Sequence, residues 1–315
     1  MRPRAVMVGL VPRSGWRAFA LLSVAIGCES EPVASPRPAE DVRDPDAAGG
    51  EPGWSTLVQA DWTLAPGKEG FFCALQTVPS EVLIRAFRAN APHGTHHTVV
   101  TVTQATGPDR VFECEPGTLS DAMIFASGPG TGDLRFPEGV AIRVPAGKQI
   151  LLNVHVFNAS RAPLEATSGI LIQTLNEDAV KQEAEVVFAG TTDFTLAPGA
   201  STSAHGSCAF QQDATLLSVW PHMHQLGRHM TVVHHTDTGD TTLHDGPFQF
   251  THQGNVSLNP TLVRAGERID VTCQWTNSRE ETVVYGDSSA DEMCFAGLYR
   301  YPASSTGLYC DVPGL

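Results

Sequence analysis

The chain has 315 residues, of which 42% are hydrophobic, and a formal net charge of −14 from 34 acidic and 20 basic side chains. No cluster of Lys and Arg follows residue 28, which argues against nucleic acid or an anionic lipid surface as partner. The length is enough for a leader and two domains of ordinary size.

Residues 1–28 read as an export signal. Arg2, Arg4, Arg13 and Arg17 precede the apolar run Ala18-Phe-Ala-Leu-Leu-Ser-Val-Ala-Ile26, which is too short to span a bilayer. Gly27-Cys28 resembles a bacterial lipoprotein cleavage site with Cys28 as the lipidated residue, although Ala25 stands where that motif usually has Leu. Ala25-Ile-Gly27 would also serve an ordinary signal peptidase. Both routes predict an exported protein, either tethered to a membrane through lipid on Cys28 or released as a secreted or periplasmic chain. Residues 29–53 are Pro, Ala, Glu, Asp and Gly with almost no large apolar side chain, a composition that makes a linker and not a core.

From residue 54 onward, short runs such as Val82-Leu-Ile-Arg-Ala-Phe87, His97-Thr-Val-Val-Thr-Val102, Ile150-Leu-Leu-Asn-Val-His-Val-Phe157, Thr215-Leu-Leu-Ser-Val-Trp220 and Ile269-Asp-Val-Thr-Cys-Gln-Trp275 recur between Gly and Pro turns. The expected fold is all-β: two tandem antiparallel β-sandwich (jelly-roll-like) domains over 54–185 and 186–315. If Cys28 is lipidated, six cysteines remain: Cys73, Cys114, Cys208, Cys273, Cys294 and Cys310. An even number in an oxidising compartment implies three disulfides, for which the sequence alone allows fifteen pairings. Two cysteines in the first half and four in the second favour a Cys73–Cys114 bridge, with free buried thiols as the plainer alternative.

The histidines carry the chemistry. In an extended Trp220-Pro-His-Met-His-Gln-Leu-Gly227, His222 and His224 share a face while Met223 points the other way. Two imidazoles make half a metal site, and Met293 in Asp291-Glu-Met-Cys294 is the best further donor. A thioether is soft and shifts the preference toward copper, especially Cu(I). In the first half, His96 and His97 are adjacent, so a regular strand would aim them apart; a bend beside Gly94 would let both reach one metal. His155 lies in an apolar strand, where a lone histidine is more often a satisfied core residue than a ligand. His93, His205, His229, His234, His235, His244 and His252 have no pattern of this kind, and His234-His235 is expected to be solvated in a hairpin. Asp291 and Glu292 are expected to orient neighbouring groups, Gln225 and Arg228 fall near a cleft by position alone, and Asn158-Ala-Ser160 and Asn255-Val-Ser257 match the glycosylation pattern.

A His-His pair, a single His, a His-x-His-x-x-Gly and a Met-Cys pair, in that order over two β-rich halves, resemble the copper type II, ascorbate-dependent monooxygenases, the family of peptidylglycine α-hydroxylating monooxygenase and dopamine β-monooxygenase. The resemblance runs from about Trp54 to Pro302. It is most specific in His222-Met-His-Gln-Leu-Gly227, in Gly266-Glu-Arg-Ile-Asp-Val-Thr-Cys273, and in Tyr285-Gly286 leading to Asp291-Glu-Met-Cys294; Phe136-Pro-Glu-Gly139, Val144-Pro-Ala-Gly147 and Asn153-Val-His155 add to it. It implies two copper ions in separate sandwich domains across a water-filled cleft. His96, His97 and His155 match the ligands of an electron-accepting copper. His222, His224 and Met293 match the ligands of the copper where O2 binds and a substrate C–H bond is hydroxylated, with ascorbate or a similar donor as co-substrate. The family pattern also pairs Cys208 with Cys310 and Cys273 with Cys294.

One departure bears on the substrate. The peptide-amidating members place an arginine two residues before the first histidine of the His-x-His pair, where this chain has Trp220. An apolar or aromatic small molecule is therefore expected in place of a glycine-extended peptide. The competing readings are an exported copper-binding or electron-transfer lipoprotein without oxygenase activity, and a metal-free double sandwich used for adhesion.

Overall fold

The computed structural model describes residues 53–314 apart from 106, 120, 121, 287, 289, 305, 306 and 313. The signal segment 1–28 with Cys28, and the linker before Gly53, lie outside the described residues. Strands dominate, because the β-branched and apolar runs between Gly and Pro turns can bury one face each against a partner sheet. The first eleven are β1 (Ser55–Leu64), β2 (Glu69–Thr77), β3 (Val82–Asn90), β4 (Thr95–Gln104), β5 (Arg110–Glu113), β6 (Ala122–Ser127), β7 (Leu134–Arg135), β8 (Val140–Val144), β9 (Lys148–Phe157), β10 (Leu164–Thr174) and β11 (Gln182–Glu183). They are followed by β12 (Glu185–Gly190), β13 (Thr195–Leu196), β14 (Ser201–Ala209), β15 (Ala214–His222), β16 (Gly227–Thr236), β17 (Gly239–Pro247), β18 (Val256–Val263), β19 (Arg268–Thr276), β20 (Val283–Val284) and β21 (Phe295–Tyr301). One 3-10 turn, Glu177–Ala179, is the helical exception among the described residues.

Two sheets enclose the first core. Their orders are β1-β10-β3-β8-β11, with β7 beside β3, and β5-β2-β9-β4-β6; only β8 with β11 is parallel. Along β1, Val58, Ala60, Trp62 and Leu64 are buried and their neighbours are not, the period-2 signature of a strand with one face in a core. A second core lies between β12-β21-β15-β18 and β14-β19-β16-β17. Strand β9 breaks the alternation: Ile150, Leu152, Val154 and Val156 fill the first core, yet Leu151, Asn153 and His155 on the opposite face are buried too. Strands β15 and β21 are likewise buried on both faces. A third cluster of Ala126, Phe188, Trp220, Phe295 and Val312 shows why, since it packs the outer face of the β9 sheet against the outer face of the β15–β21 sheet.

The halves also repeat a turn. Thr-Leu-Ala-Pro-Gly stands at 63–67 and again at 195–199, ending in glycines at φ +67° and +68°. An asparagine after β9 or β19 ties down each copy: Asn158 Nδ2 donates to the carbonyls of Leu64 and Ala162, and Asn277 Nδ2 to those of Leu196 and Glu281, all at 2.9 Å. Asn158 is fully buried in this role, so its glycosylation pattern is a structural turn in the folded chain. Disulfides join Cys73 to Cys114, Cys208 to Cys310 and Cys273 to Cys294, with Cα separations of 5.9, 5.3 and 5.8 Å, inside the range such a bridge needs.

Candidate functional site

The covered face of the β9 sheet carries the first histidine group. His97 on β4 stands directly opposite His155 on β9, so the alternation that sends Val154 and Val156 into the core sends both rings outward. His96 joins them through a β-bulge. The ladder runs from Thr95 opposite Val156 to His97 opposite His155, leaving His96 as the extra residue, directly after Gly94 at φ +98°. Nδ1 of His97 lies 3.3 Å from Nδ1 of His96 and 3.3 Å from Nδ1 of His155. The ligand atoms of all three fall within 4.8 Å of one another. Two imidazole nitrogens bonded to one ion at about 2.0–2.1 Å in tetrahedral geometry are roughly 3.3 Å apart, so the group fits a three-nitrogen metal site.

The far side of His155 is held as well. Its Nε2–H donates to Glu69 Oε1 at 2.6 Å, which fixes the tautomer that leaves Nδ1 with a lone pair toward His96 and His97. Phe71 stacks on the same ring at 4.4 Å and 5°.

The second group comes from β15 and the loop after it. His222 and His224 bring their ring centroids to 5.3 Å, while Met223 between them is fully buried in the second core. His222 Nδ1–H donates to Gln253 Oε1 at 2.8 Å, and His224 Nδ1–H donates to the Asp291 carbonyl at 3.2 Å. Each ring thus keeps Nε2 for a ligand. Met293 lines the same cavity and packs with the aromatic cluster of Phe188, Trp220 and Phe295. Its neighbours fix the backbone on both sides. Cys294 is bridged to Cys273 on β19, and the buried carboxylate of Glu292 accepts the backbone N–H of His224 at 2.9 Å, that of Leu226 at 2.6 Å and Trp275 Nε1–H at 2.9 Å.

Burial keeps the imidazoles neutral. It lowers His96 to about 4, helped by the charge of His155, lowers His222 to about 3, helped by His224, and lowers His224 to about 4. His97 and His155 are lowered for the same first reason, and His222 and His224 lie close enough to act on His97. Neutral imidazole is the form that binds metal. Burial pushes the Glu292 carboxyl up, against the pull of its N–H donors.

Both groups open onto one cavity of about 470 Å³, with His97 and His155 on one wall and His222, His224 and Met293 on the other. The ring of Phe250 stands between them, 4.8 Å from His96 and 6.4 Å from His224. Trp220 stacks against His222 at 4.9 Å and donates its Nε1–H to the Gln253 carbonyl.

The remaining expectations divide. His234 and His235 are not solvated: β16 pairs with β19 as well as β17, which brings Glu267 to 2.8 Å from His234 and Asp270 to 2.9 Å from His235. Gln225 and Arg228 do not line the cavity; Arg228 bonds its own turn and Gln225 accepts from Arg279. Glu69, Gln253 and Phe250 were not singled out by sequence, because strand register and a distant loop bring them in and no local motif marks them.

The geometry defines a β protein with imidazole groups and a thioether around one cavity, and the comparisons agree in kind. Residues 182–313 match the family model described as copper type II ascorbate-dependent monooxygenase, C-terminal domain. Over 224 residues, 64% of the chain, it is 25% identical to "Putative DBH-like monooxygenase protein 2" of Homo sapiens, and it covers 44% of that protein's length. Over these residues the chain is similar to the copper type II ascorbate-dependent monooxygenases. A vicilin structure from Solanum lycopersicum aligns over 80% of this chain and 76% of that one at 7% identity, with a TM-score of 0.17, too low to bear on the fold.

Proposed function

We propose that the protein is an exported dicopper monooxygenase of two tandem β-sandwich domains, 54–185 and 186–315, that hydroxylates a C–H bond of a small organic substrate. One substrate C–H and one O2, with two electrons from an ascorbate-like donor and two protons, give one C–OH and one water. The observation that carries this reading is that two ligand groups of different chemistry meet at one cavity: a three-imidazole cluster, of which His97 and His155 line it, and an imidazole pair with Met293. Copper, when bound, supplies one-electron redox chemistry at both groups and an oxygen-binding Cu(I) form favoured by the soft thioether.

The chain's own residues do the rest. His96, His97 and His155 would hold one ion, with Glu69 orienting His155. His222, His224 and Met293 would hold the other, with Gln253 and the Asp291 carbonyl fixing which imidazole nitrogen faces it. Trp220, Phe250 and Phe295 wall the space from water. The three disulfides suit an oxidising compartment, in keeping with export and with a lipid tether at Cys28.

Copper titration should give two ions per chain, and ascorbate-dependent oxygen uptake should vanish in His224→Ala and in Met293→Ala chains that retain the wild-type circular dichroism spectrum. One ion per chain without oxygen uptake would leave a copper-binding or electron-transfer protein instead.

A further inference from the structure

The loop between β17 and β18 supplies Gln253, whose Oε1 accepts from His222 Nδ1–H at 2.8 Å, and Phe250, whose ring stands between the two histidine groups. Gln253 is buried, and the His222 contact is one of several that it makes. Its Nε2 donates to the Phe250 carbonyl at 3.0 Å, which turns the amide so that Oε1 faces His222. Its main-chain carbonyl accepts Trp220 Nε1–H at 3.2 Å, and the Trp220 ring lies on His222 at 4.9 Å and 25°. One residue therefore sets the tautomer of His222 through its side chain and holds the ring that backs it through its main chain.

What holds Gln253 comes from the other half of the molecule. Within its own loop, the His252 N–H bonds back to the Gln249 carbonyl, which shapes the loop but attaches it to nothing else. The turn after β6, Gly128–Thr131, reaches across to it. Gly128 N–H donates to Thr131 Oγ1 at 2.9 Å, and Thr131 Oγ1–H donates to the Gln253 carbonyl at 3.1 Å. The hydroxyl accepts inside its own turn and donates outward, two roles that a methyl group cannot fill. The segments also fit closely: a Cβ on Gly128 would stand 3.2 Å from that of Gln253, and one on Gly130 would overlap the His252 ring. Behind the turn, Ser127 Oγ bonds Thr98 Oγ1 at 2.7 Å, so the turn is anchored to β4 beside His97.

We infer that Thr131 is a positioning residue for the metal group of the opposite half: its hydroxyl fixes the Gln253 main chain and, through Gln253, the tautomer and tilt of His222. Supports of this kind act by orienting a ligand that they do not themselves supply. The purpose of the contact rests on the proposed copper role of His222, but the tautomer is a property of the metal-free chain and is read without any metal.

The test compares Thr131→Val, which keeps the shape and loses the hydroxyl, with Thr131→Ser, which keeps the hydroxyl, in the full chain. Long-range proton–nitrogen NMR of the metal-free protein at neutral pH should show His222 protonated on Nδ1 in the wild type and in Thr131→Ser, and a mixture of both tautomers in Thr131→Val, while His155, held by Glu69, does not change. Copper should bind about tenfold more weakly at the proposed His222–His224–Met293 site in Thr131→Val, with the three-histidine group unaffected and Thr131→Ser within about twofold of wild type at both. In the wild type, the Thr131 hydroxyl proton should exchange slowly enough to give its own resonance, with an Overhauser contact to the Trp220 indole N–H, since both point at one oxygen; this measurement stands even where the valine chain fails to fold. A single Nδ1–H tautomer and wild-type copper affinity in Thr131→Val, equal changes at His155 and His222, a serine chain that behaves like the valine one, or a hydroxyl proton that exchanges as fast as an exposed threonine's overturns the inference. Copper that binds no chain, while the His222 tautomer still responds to Thr131→Val, would remove the monooxygenase reading and support the positioning role.

Discussion

Glu292 holds His224 through its main chain: the carboxylate accepts the His224 N–H at 2.9 Å and, with its other oxygen, the N–H of Leu226 at 2.6 Å. A residue adjacent to Met293 thereby sets the backbone that carries a histidine 68 positions earlier. The buried carboxylate also takes the indole N–H of Trp275, so the three partners present donors and none presents an acceptor.

Glu292→Gln tests this clamp. The amide keeps the volume but turns an –NH2 toward existing N–H donors, leaving at least one of them buried without an acceptor. The expected cost is about 1–3 kcal/mol of stability. Copper at the proposed His222–His224–Met293 site should bind 10- to 100-fold more weakly, in the range for loss of groups that support metal ligands. The three-histidine group should keep its affinity. Equal weakening of both sites in a competition titration would show a general loss of packing in place of a local clamp.

Glu69→Ala addresses the other group. Removing the carboxylate frees His155 Nε2, loosens the ring and allows the tautomer that carries its proton on Nδ1. The expected result is a 10- to 100-fold weaker copper site at His96, His97 and His155 with the second site unchanged. Because Glu69 is half exposed, at 51% for its side chain, stability should fall by less than about 1 kcal/mol. Wild-type copper affinity in this variant would remove Glu69 from the site.

These two supports illustrate what the sequence withholds. His222 and His224 are legible as a pair because a period of two needs only local geometry, and the burial of Met223 follows from the same rule. The convergence of His96 and His97 is half legible: Gly94 signals a bend, but the bulge appears only once β4 is set against β9. Glu69 is 86 positions from His155 and Gln253 is 31 from His222, and only strand register or a loop that folds back joins them. The solvated reading of His234 and His235 failed for a related cause. The hairpin of β16 and β17 has a second neighbour in β19, and Glu267 just before that strand and Asp270 on it pair with His234 and His235.

Acid should weaken the metal-free protein above the range in which its carboxylates titrate. His96 and His224 are held at about 4 and His222 at about 3 by burial, below the ordinary value of 6.5. Across that gap the unfolded chain binds more protons than the folded one, so stability rises with pH and is lost as pH falls below 6.5. Thermal midpoints of the metal-free protein should therefore decline between about pH 6.5 and 5.5, where most carboxylates remain ionised. Copper at the proposed sites would occupy the same nitrogens and should flatten the decline. A profile without slope in that window, or one that does not change with copper, would mean that these rings stay hydrated.

The Cys273–Cys294 bridge closes a loop of 21 positions and attaches the residue after Met293 to β19. By loop-closure entropy, Cys273→Ser with Cys294→Ser should cost about 3 kcal/mol, and the Cys208–Cys310 bridge, spanning 102 positions, somewhat more at about 4–5 kcal/mol. The two losses should differ in what they do to copper. Cys294 flanks the thioether, so without its bridge the segment keeps the Glu292 carboxylate and its backbone bonds to Thr191 and Val284 but loses its covalent tie to β19, and the His222–His224–Met293 site should weaken beyond what the loss of stability explains. Cys208 and Cys310 line no part of the cavity, and their removal should lower the thermal midpoint while sparing both copper affinities. Titration of the two double variants well below their melting temperatures separates these effects: a Cys273–Cys294 variant with wild-type affinity at both sites would show that the bridge stabilises the second core without placing Met293.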